Sequence, residues 1–161
     1  MKIAIYPGTF DPVTYGHLDV IERAREIFDI VIVTVALNSA KKPLFSAKER
    51  VAMIKEAVRR FKNVRVEQFE GLLVDFAKKK KATSIIRGLR AVTDFEYEFQ
   101  MALMNRKLNS SVTTVFLMPH EKYTYLNSSI VREIAMHGRD LSEFVPPNVR
   151  QRLQQKMKKS R

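Results

Sequence analysis

The chain has 161 residues, and 45% of them are hydrophobic, which is enough to form the core of one α/β domain. It contains no cysteine, so disulfides and thiolate metal sites are excluded, and the cytoplasm is the expected location. We find no run of about 18 apolar residues and no signal-peptide pattern, so no membrane association is expected. The net charge of +12 favours anionic partners, without choosing between nucleic acid and phosphorylated metabolites.

Five short segments rich in valine and isoleucine alternate with segments of helical spacing. The predicted strands cover residues 2–6, 30–37, 64–68, 83–86 and 113–118. The predicted helices cover residues 17–28, 46–61, 72–80, 93–108, 128–137 and 149–158. This order predicts an α/β fold: a Rossmann-like, doubly wound, five-stranded parallel sheet with helices on both faces. We expect a single domain over residues 1–161, which ends in a basic helix at about 149–161.

Two of the predicted helices carry further local signals. Ser46 followed three residues later by Glu49 predicts a capping box at the start of the second helix. In the fourth helix, Phe95 and Phe99 lie one turn apart, and this spacing is more typical of core residues than of ligand contacts.

The turn after the first strand carries the most informative motif, since residues 6–17 combine glycines, prolines and a histidine at a helix start. Gly8 and Gly16 allow a ligand to approach the backbone closely. A helix N-terminus attracts phosphate because it has unpaired N–H groups and a partial positive charge. Taken alone, His17 could equally be a phosphate ligand or a histidine that only forms a hydrogen bond within its own turn. Together with Thr9 and Thr14 in the same loop, it favours a phosphate site.

Candidate ligand-binding residues also follow the other four strands. The carboxyl ends of parallel strands meet at one edge of a sheet, so these segments are expected to form one site. Lysine suits phosphate as a compact charge, and two arginines around a glycine can hold two phosphate groups. Hydroxyls at a helix start form a second phosphate cradle. The candidates are Lys41 after the second strand, Leu73 after the third, Arg87 to Arg90 after the fourth, and residues 123–129 after the fifth.

Each of these candidates has a simpler structural interpretation. Lys41 could be a solvated loop lysine, as exposed loop lysines usually are. The two arginines could instead tie their loop to Asp94, Glu96 or Glu98. Ser128 and Ser129 could belong to an ordinary helix cap. The shared sheet edge favours the binding site over these alternatives.

Several segments resemble a known superfamily. Residues 4–17 resemble the signature of the nucleotidyltransferase superfamily in its T-x-G-H form, and residues 126–132 resemble its second signature. Residues 86–98, 41–43 and 115–119 resemble the narrower bacterial phosphopantetheine adenylyltransferase family, and the likeness extends over about residues 1–149. It implies transfer of AMP from ATP to 4′-phosphopantetheine, which gives dephospho-coenzyme A and pyrophosphate in coenzyme A synthesis. It also implies Mg²⁺ bound through the ATP phosphates, a homohexamer, and coenzyme A as a feedback ligand.

The resemblance assigns a contact to each matching residue. Phosphopantetheine would contact Thr9, Lys41, Leu73 and Arg87. ATP would contact Thr9, Phe10, His17, Gly88, Leu89, Arg90, Glu98, Tyr123, Thr124, Tyr125, Leu126, Asn127, Ser128 and Ser129. The candidate catalytic residues are His17, Thr9, Lys41 and Arg90, and no side chain is a candidate metal ligand. Asn127 stands where the family often has serine, and Leu73 where methionine is common.

Two other functions compete with this interpretation. A nucleotidyltransferase of the same fold could act on another acceptor, such as nicotinate mononucleotide, although residues 87–98 argue against it. A nucleic-acid-binding domain would explain the positive charge. However, the basic residues are not interleaved with an aromatic stripe, as base stacking requires, so no specific nucleic acid is expected.

Overall fold

A computed structural model of the chain describes residues 1–37 and 42–159. Lys41, one of the predicted site residues, lies outside the described residues. The strands are β1 Ile3–Gly8, β2 Ile30–Ala36, β3 Val64–Phe69, β4 Ser84–Gly88 and β5 Thr113–Leu117. The α-helices are α1 Tyr15–Ile27, α2 Ala47–Ala57, α3 Leu73–Lys79, α4 Val92–Leu108, α5 Ser128–Met136 and α6 Pro147–Lys159. A short 3₁₀ turn covers Glu121–Tyr123.

The five strands form one parallel sheet in the order β3-β2-β1-β4-β5. The predicted α/β fold with a doubly wound parallel sheet is therefore confirmed. The chain runs outward from β1 to β3 and then returns to place β4 on the other side of β1. The strand order reverses between β1 and β4, and ligands of such sheets bind in the crevice at this point.

Hydrophobic side chains fill both faces of the sheet. Alternate residues of each strand point to opposite faces, so β1 contributes Ala4 and Tyr6 to one core cluster and Ile5 to the other. The larger cluster lies under α1, α2, α5 and α6. The smaller cluster lies under α3. Helices therefore cover both faces, as the sequence predicted.

Several element ends differ from the prediction. β1 and β4 each extend two residues further, because Gly8 pairs with Val35 and Gly88 pairs with Leu117 in the parallel ladders. The second helix ends at Ala57 instead of residue 61. There, the Phe61 N–H donates to the Val58 carbonyl oxygen at 2.8 Å, and this turn carries the Phe61 ring into the core. The capping box of Ser46 and Glu49 is confirmed.

The prediction that Phe95 and Phe99 belong to the core is wrong. Their exposed fractions are 43% and 46%, and their rings stack on each other with centroids 5.6 Å apart. Instead, the buried residues of α4 are Glu98 and Asn105. The physical reason is the position of α4 beside an edge strand: the Phe95 ring centroid lies 6.1 Å from that of Phe116 on β5, and no further strand of the sheet lies beyond β5. The strand leaves much of the helix uncovered.

Among the described residues, no helix has the length and apolar character needed to cross a membrane.

Candidate active site

A cavity of about 480 Å³ opens where the strand order reverses, at the carboxyl ends of β1 and β4. Its walls come from the loop after β1, the start of α1, the ends of β2 and β3, the end of β4, the first turns of α3 and α4, and the residues just before α5. Segments far apart in sequence therefore meet at the predicted edge. We call this space the active-site cavity.

The active-site cavity spans the edge of the sheet and so has two sides. Ile86 belongs to the larger core cluster and Ile85 to the smaller one, so Arg87 points with Ile85 toward the face covered by α3. Leu73 and Glu98 lie on that face with it, and we call this the Leu73 side. His17, Arg90 and Ser128 lie on the opposite face, which we call the His17 side. Two ligands that bind on opposite faces of the sheet can therefore meet at this edge.

His17 is held in one orientation by the start of α1. The Thr14 backbone N–H donates to His17 Nδ1 at 3.0 Å, while the His17 N–H donates to Thr14 Oγ1 at 3.4 Å. This reciprocal capping makes Nδ1 an acceptor, so the neutral ring carries its proton on Nε2. Burial, and to a smaller extent the nearby Arg90 charge, lowers the pKa of the imidazole from 6.5 to about 4. Near pH 7, His17 is a neutral ring whose Nε2–H can donate to a ligand.

The lowered pKa predicts how His17 titrates. In the folded protein, its imidazole should stay neutral until the pH approaches 4, whereas in the unfolded chain it should protonate near 6.5. Between these values the unfolded state binds more protons, so this group lowers the stability of the fold as the pH falls. Imidazole NMR spectra recorded across this range, with H17Q to identify the signal, should show a midpoint near 4. A midpoint near 6.5 would contradict the buried, capped ring.

Phe10 fixes the other side of the His17 ring. Its φ of 48° lies in the left-handed region, which is uncommon for a bulky residue. The phenyl ring is buried between Tyr6 and His17, with centroid distances of 5.4 and 5.0 Å and edge-on geometry. It lies directly over Gly8, where a Cβ atom would come within 2.8 Å of Phe10 Cζ. The glycine is therefore needed for this close packing.

Arg87 and Glu98 form a two-point ion pair on the Leu73 side. Arg87 Nε and Nη2 donate to the two Glu98 carboxylate oxygens, each at 2.6 Å, and Nη1 donates to the Pro7 carbonyl oxygen at 3.3 Å. Burial by itself lowers the pKa of Arg87, but the hydrogen bonds and charge of Glu98 outweigh it and raise the pKa. The guanidinium is thus a permanent, oriented cation at the cavity wall.

Arg90 and the start of α5 form the far wall of the His17 side. Arg90 Nη1 donates to the Leu126 carbonyl oxygen at 3.0 Å, and its Nε lies 3.7 Å from Asp94. Asn127 caps α5 by accepting from the Ile130 N–H at 2.9 Å, and Ser128 Oγ donates to the Pro12 carbonyl oxygen at 2.7 Å. The helix start is thereby tied to the first loop. The acidic partners suggested as alternatives for the two arginines, Glu98 and Asp94, are present beside them.

The predicted residues fall into three groups. Those that line the active-site cavity are Thr9, Phe10, His17, Leu73, Arg87, Gly88, Arg90, Glu98, Leu126, Asn127 and Ser128. Those of the described chain that do not line it are Leu89, Tyr123, Thr124, Tyr125 and Ser129. The backbone N–H of Leu89 is used in a bond to the Leu117 carbonyl oxygen, and Ser129 Oγ accepts from Arg132 at 3.2 Å. Lys41 belongs to neither group, because it lies outside the described residues.

Some wall residues were not predicted as site residues. Tyr6, Ala36 and Phe69 end or nearly end three of the strands, and all three line the active-site cavity. Tyr6 and Ala36 lie within predicted strands, and Phe69 lies just after one. Following the side-chain alternation to each predicted strand end and one residue beyond it would have found them.

With this geometry established, comparison with known proteins identifies the class. The model of the cytidylyltransferase-like family matches residues 5–134. A solved nicotinic acid mononucleotide adenylyltransferase of Plasmodium falciparum, in complex with NaAD, superposes with a TM-score of 0.68 over 93% of each chain. At 15% sequence identity, that structure shows only that the fold is shared. The chain is a nucleotidyltransferase of the cytidylyltransferase-like family.

Sequence relatives identify the narrower family. Phosphopantetheine adenylyltransferase of Caldanaerobacter subterraneus subsp. tengcongensis is 60% identical over 99% of this chain and 100% of its own length. Phosphopantetheine adenylyltransferase of Opitutus terrae is 58% identical over 92% of this chain and 93% of its own length. The chain therefore belongs to the phosphopantetheine adenylyltransferase family, in agreement with the resemblance noted in its motifs.

Proposed function

We propose that the active-site cavity transfers AMP from ATP to 4′-phosphopantetheine by one direct displacement, giving dephospho-coenzyme A and pyrophosphate. The observation that carries this proposal is the placement of a neutral histidine donor and a fixed guanidinium on opposite sides of one cavity. Two anions can enter from the two faces of the sheet and meet between these groups. The activity is that of the family to which the chain belongs.

The displacement needs no enzyme nucleophile. A phosphate oxygen of phosphopantetheine attacks the α-phosphorus of ATP, and the bond to the bridging oxygen of the β-phosphate breaks. That oxygen leaves with the electron pair as part of pyrophosphate. The attacking phosphate monoester, with a second pKa of about 6, is already ionised at neutral pH, so no general base is required. The barrier comes from repulsion between two polyanions and from the need for in-line alignment.

Each catalytic role follows from the position of its residue. His17 Nε2–H donates to an α-phosphoryl oxygen and stabilises the charge that develops there in the transition state. Thr9, in the loop after β1, aligns the incoming phosphate. Arg90 and the start of α5, with Ser128 and Ser129, hold the β- and γ-phosphates. These assignments are supported by the lining positions of His17, Thr9, Arg90 and Ser128.

The remaining assignments divide between the two substrates. Leu73, Arg87 and Lys41 are assigned to phosphopantetheine, and Lys41 follows the charge at the reacting centre. For Leu73 and Arg87, this is supported by their place on the Leu73 side. The other ATP contacts are assigned to Phe10, Gly88, Leu89, Glu98 and residues 123–127. For Glu98, which lies on the Leu73 side, this assignment rests on the family resemblance alone. Glu98 then has two roles, because its carboxylate also orients Arg87.

Mg²⁺ is proposed to bind through the ATP phosphates. Within residues 1–37 and 42–159, no group of three or more histidine, aspartate or glutamate side chains could hold a metal ion. The acidic residues on the cavity wall, Asp94 and Glu98, are already beside arginines. When bound, the ion neutralises charge on the triphosphate and orients it. Arg90 and the start of α5 would neutralise the triphosphate charge that the ion leaves.

Pyrophosphate release with different acceptors tests the proposed function. The protein, ATP and Mg²⁺ should release pyrophosphate with 4′-phosphopantetheine and not with nicotinate mononucleotide, and mass spectrometry should find dephospho-coenzyme A. Release with nicotinate mononucleotide alone would replace this function with that of the related enzymes. Salt-dependent binding of a random oligonucleotide, with no pyrophosphate formed, would support a nucleic-acid-binding protein instead.

We also propose a homohexamer and coenzyme A as a feedback ligand. The supporting observation for assembly is the uncovered side of α4, where Leu103, Met104 and Leu108 are each about half exposed. Light scattering should give six times the mass of the 18.7 kDa chain. L108E should lower this mass, whereas K107E at the neighbouring polar position should not; an unchanged mass for both would contradict the α4 contact.

Coenzyme A contains the pantetheine and adenosine parts of the product, so it should compete with phosphopantetheine.

A further inference from the structure

Arg50 is a buried cation on α2 that bonds only to backbone in the described chain. It is 3% exposed, and Nη1 donates to the Thr9 carbonyl oxygen at 2.7 Å. The same nitrogen lies 3.5 Å from the Ala36 carbonyl oxygen, and Nε donates to the Phe45 carbonyl oxygen at 3.1 Å. One guanidinium therefore joins the first loop, the end of β2 and the entry to α2.

Asp11 completes the same connection from the other side. Its buried carboxylate accepts from the Leu44 N–H at 2.8 Å and from the Phe45 N–H at 2.9 Å. Phe45 is thus held at its carbonyl by Arg50 and at its N–H by Asp11. We call this set of bonds the Arg50 clamp. It fixes both ends of the β2–α2 connection against the loop that carries Thr9.

The energetics suggest that Arg50 does more than fill space. Burying a guanidinium is costly, and replacing buried charged groups by well-packed apolar residues is often neutral or stabilising. The neighbouring core residues Met53 and Ile54 of α2 show that apolar side chains fit this helix face. A cation here supplies something an apolar side chain cannot, namely three directed bonds to separate segments. Two of those segments, at Thr9 and Ala36, line the active-site cavity.

We propose that Arg50 is a positioning residue that sets Thr9 and the end of β2 for the acceptor phosphate without touching the ligand. Arg50 itself does not line the active-site cavity. The proposal rests on the proposed function, in which Thr9 aligns that phosphate. Ala36 lies on the Leu73 side, because it follows Val35 of the larger core cluster. Thr9 is also an expected ATP contact, but ATP keeps its contacts with Arg90 and the start of α5. The clamp should therefore act mainly on phosphopantetheine.

The test uses R50K, R50M and, as a matched control, R59K at an exposed arginine just after the same helix. Binding of 4′-phosphopantetheine is measured by calorimetry without ATP, and KM is measured for each substrate. Lysine keeps the charge but cannot form the forked bonds. R50K should bind phosphopantetheine about tenfold more weakly, within the roughly 5–150-fold range of couplings between a ligand and groups that do not touch it. Its KM for ATP should change less than about threefold, and R59K should match the unchanged protein.

Several outcomes would overturn the proposal. The proposal is rejected if R50K binds phosphopantetheine as tightly as the unchanged protein. It is also rejected if the KM values for both substrates rise equally, as general loosening would cause. If R50M does not fold, R50K decides the question. The unchanged protein is measured first: failure to bind 4′-phosphopantetheine would reject the proposed function itself. If the unchanged protein binds 4′-phosphopantetheine and R50K binds it equally tightly, only the role of Arg50 is rejected.

Discussion

Replacement of His17 by alanine should lower kcat by roughly 10²–10³ and change KM for either substrate much less. The Nε2–H is expected to meet an α-phosphoryl oxygen that gains charge only in the transition state. Removing a donor of this kind affects the rate constant of the chemical step more than ground-state binding. Steady-state kinetics with both substrates varied would measure the two effects separately.

His137 provides the control for this experiment. It is exposed and caps the far end of α5, so H137A should keep full activity. H17A should also remain folded, because alanine is accommodated in the first turn of a helix, and the lost reciprocal cap costs on the order of 1 kcal/mol. A rise in KM with kcat unchanged would remove His17 from the transition state.

Replacement of Gly8 by alanine is the second large effect that we expect. The new methyl group would lie 2.8 Å from Phe10 Cζ and 2.9 Å from Phe10 Cε2, too close for either atom to stay in place. Displacing the phenyl ring moves the surface that packs against His17. Overpacking of this kind costs about 1–3 kcal/mol of stability, and a shift of about 1 Å in a catalytic group can cost about 10² in rate. Urea unfolding and kcat would measure both losses.

A double variant separates the clash from other effects of the methyl group. In G8A/F10L, the smaller leucine relieves the contact. The double variant should therefore lose less stability than the sum of the losses in the two single variants. The rate should recover only in part, because leucine packs less well against the His17 ring. Strictly additive losses of stability would show that Gly8 is not needed for the Phe10 ring.

The central strands β1, β2 and β4 were predictable because buried parallel strands are short apolar runs rich in valine and isoleucine. The edge strands β3 and β5 are less buried, and they were predictable from their β-branched residues and their place between helical segments. The position of the His17 loop at the carboxyl edge of the sheet was predictable as well. Gly16 and His17 are typical of a helix start after a strand, and in the fold this helix start lies where the strand order reverses.

The sequence could not predict contacts that depend on distant partners. Arg50 appears in the sequence as one charge on an amphipathic helix, and its partner Thr9 is 41 residues away. Phe95 and Phe99 have the spacing of core residues, yet the short edge strand leaves them half exposed. The Arg87–Glu98 pair was only one of several pairings that the sequence allowed. In each case the missing information was the packing of elements, which local spacing does not contain.

The stereochemistry at the α-phosphorus tests the central claim most directly. If two repelling anions are neutralised along one edge of the sheet and react with each other, the transfer is a single in-line displacement. ATP made chiral at the α-phosphorus by isotopic or sulfur labelling should then give dephospho-coenzyme A of inverted configuration. Retention of configuration would require a covalent AMP–enzyme intermediate and would contradict the account.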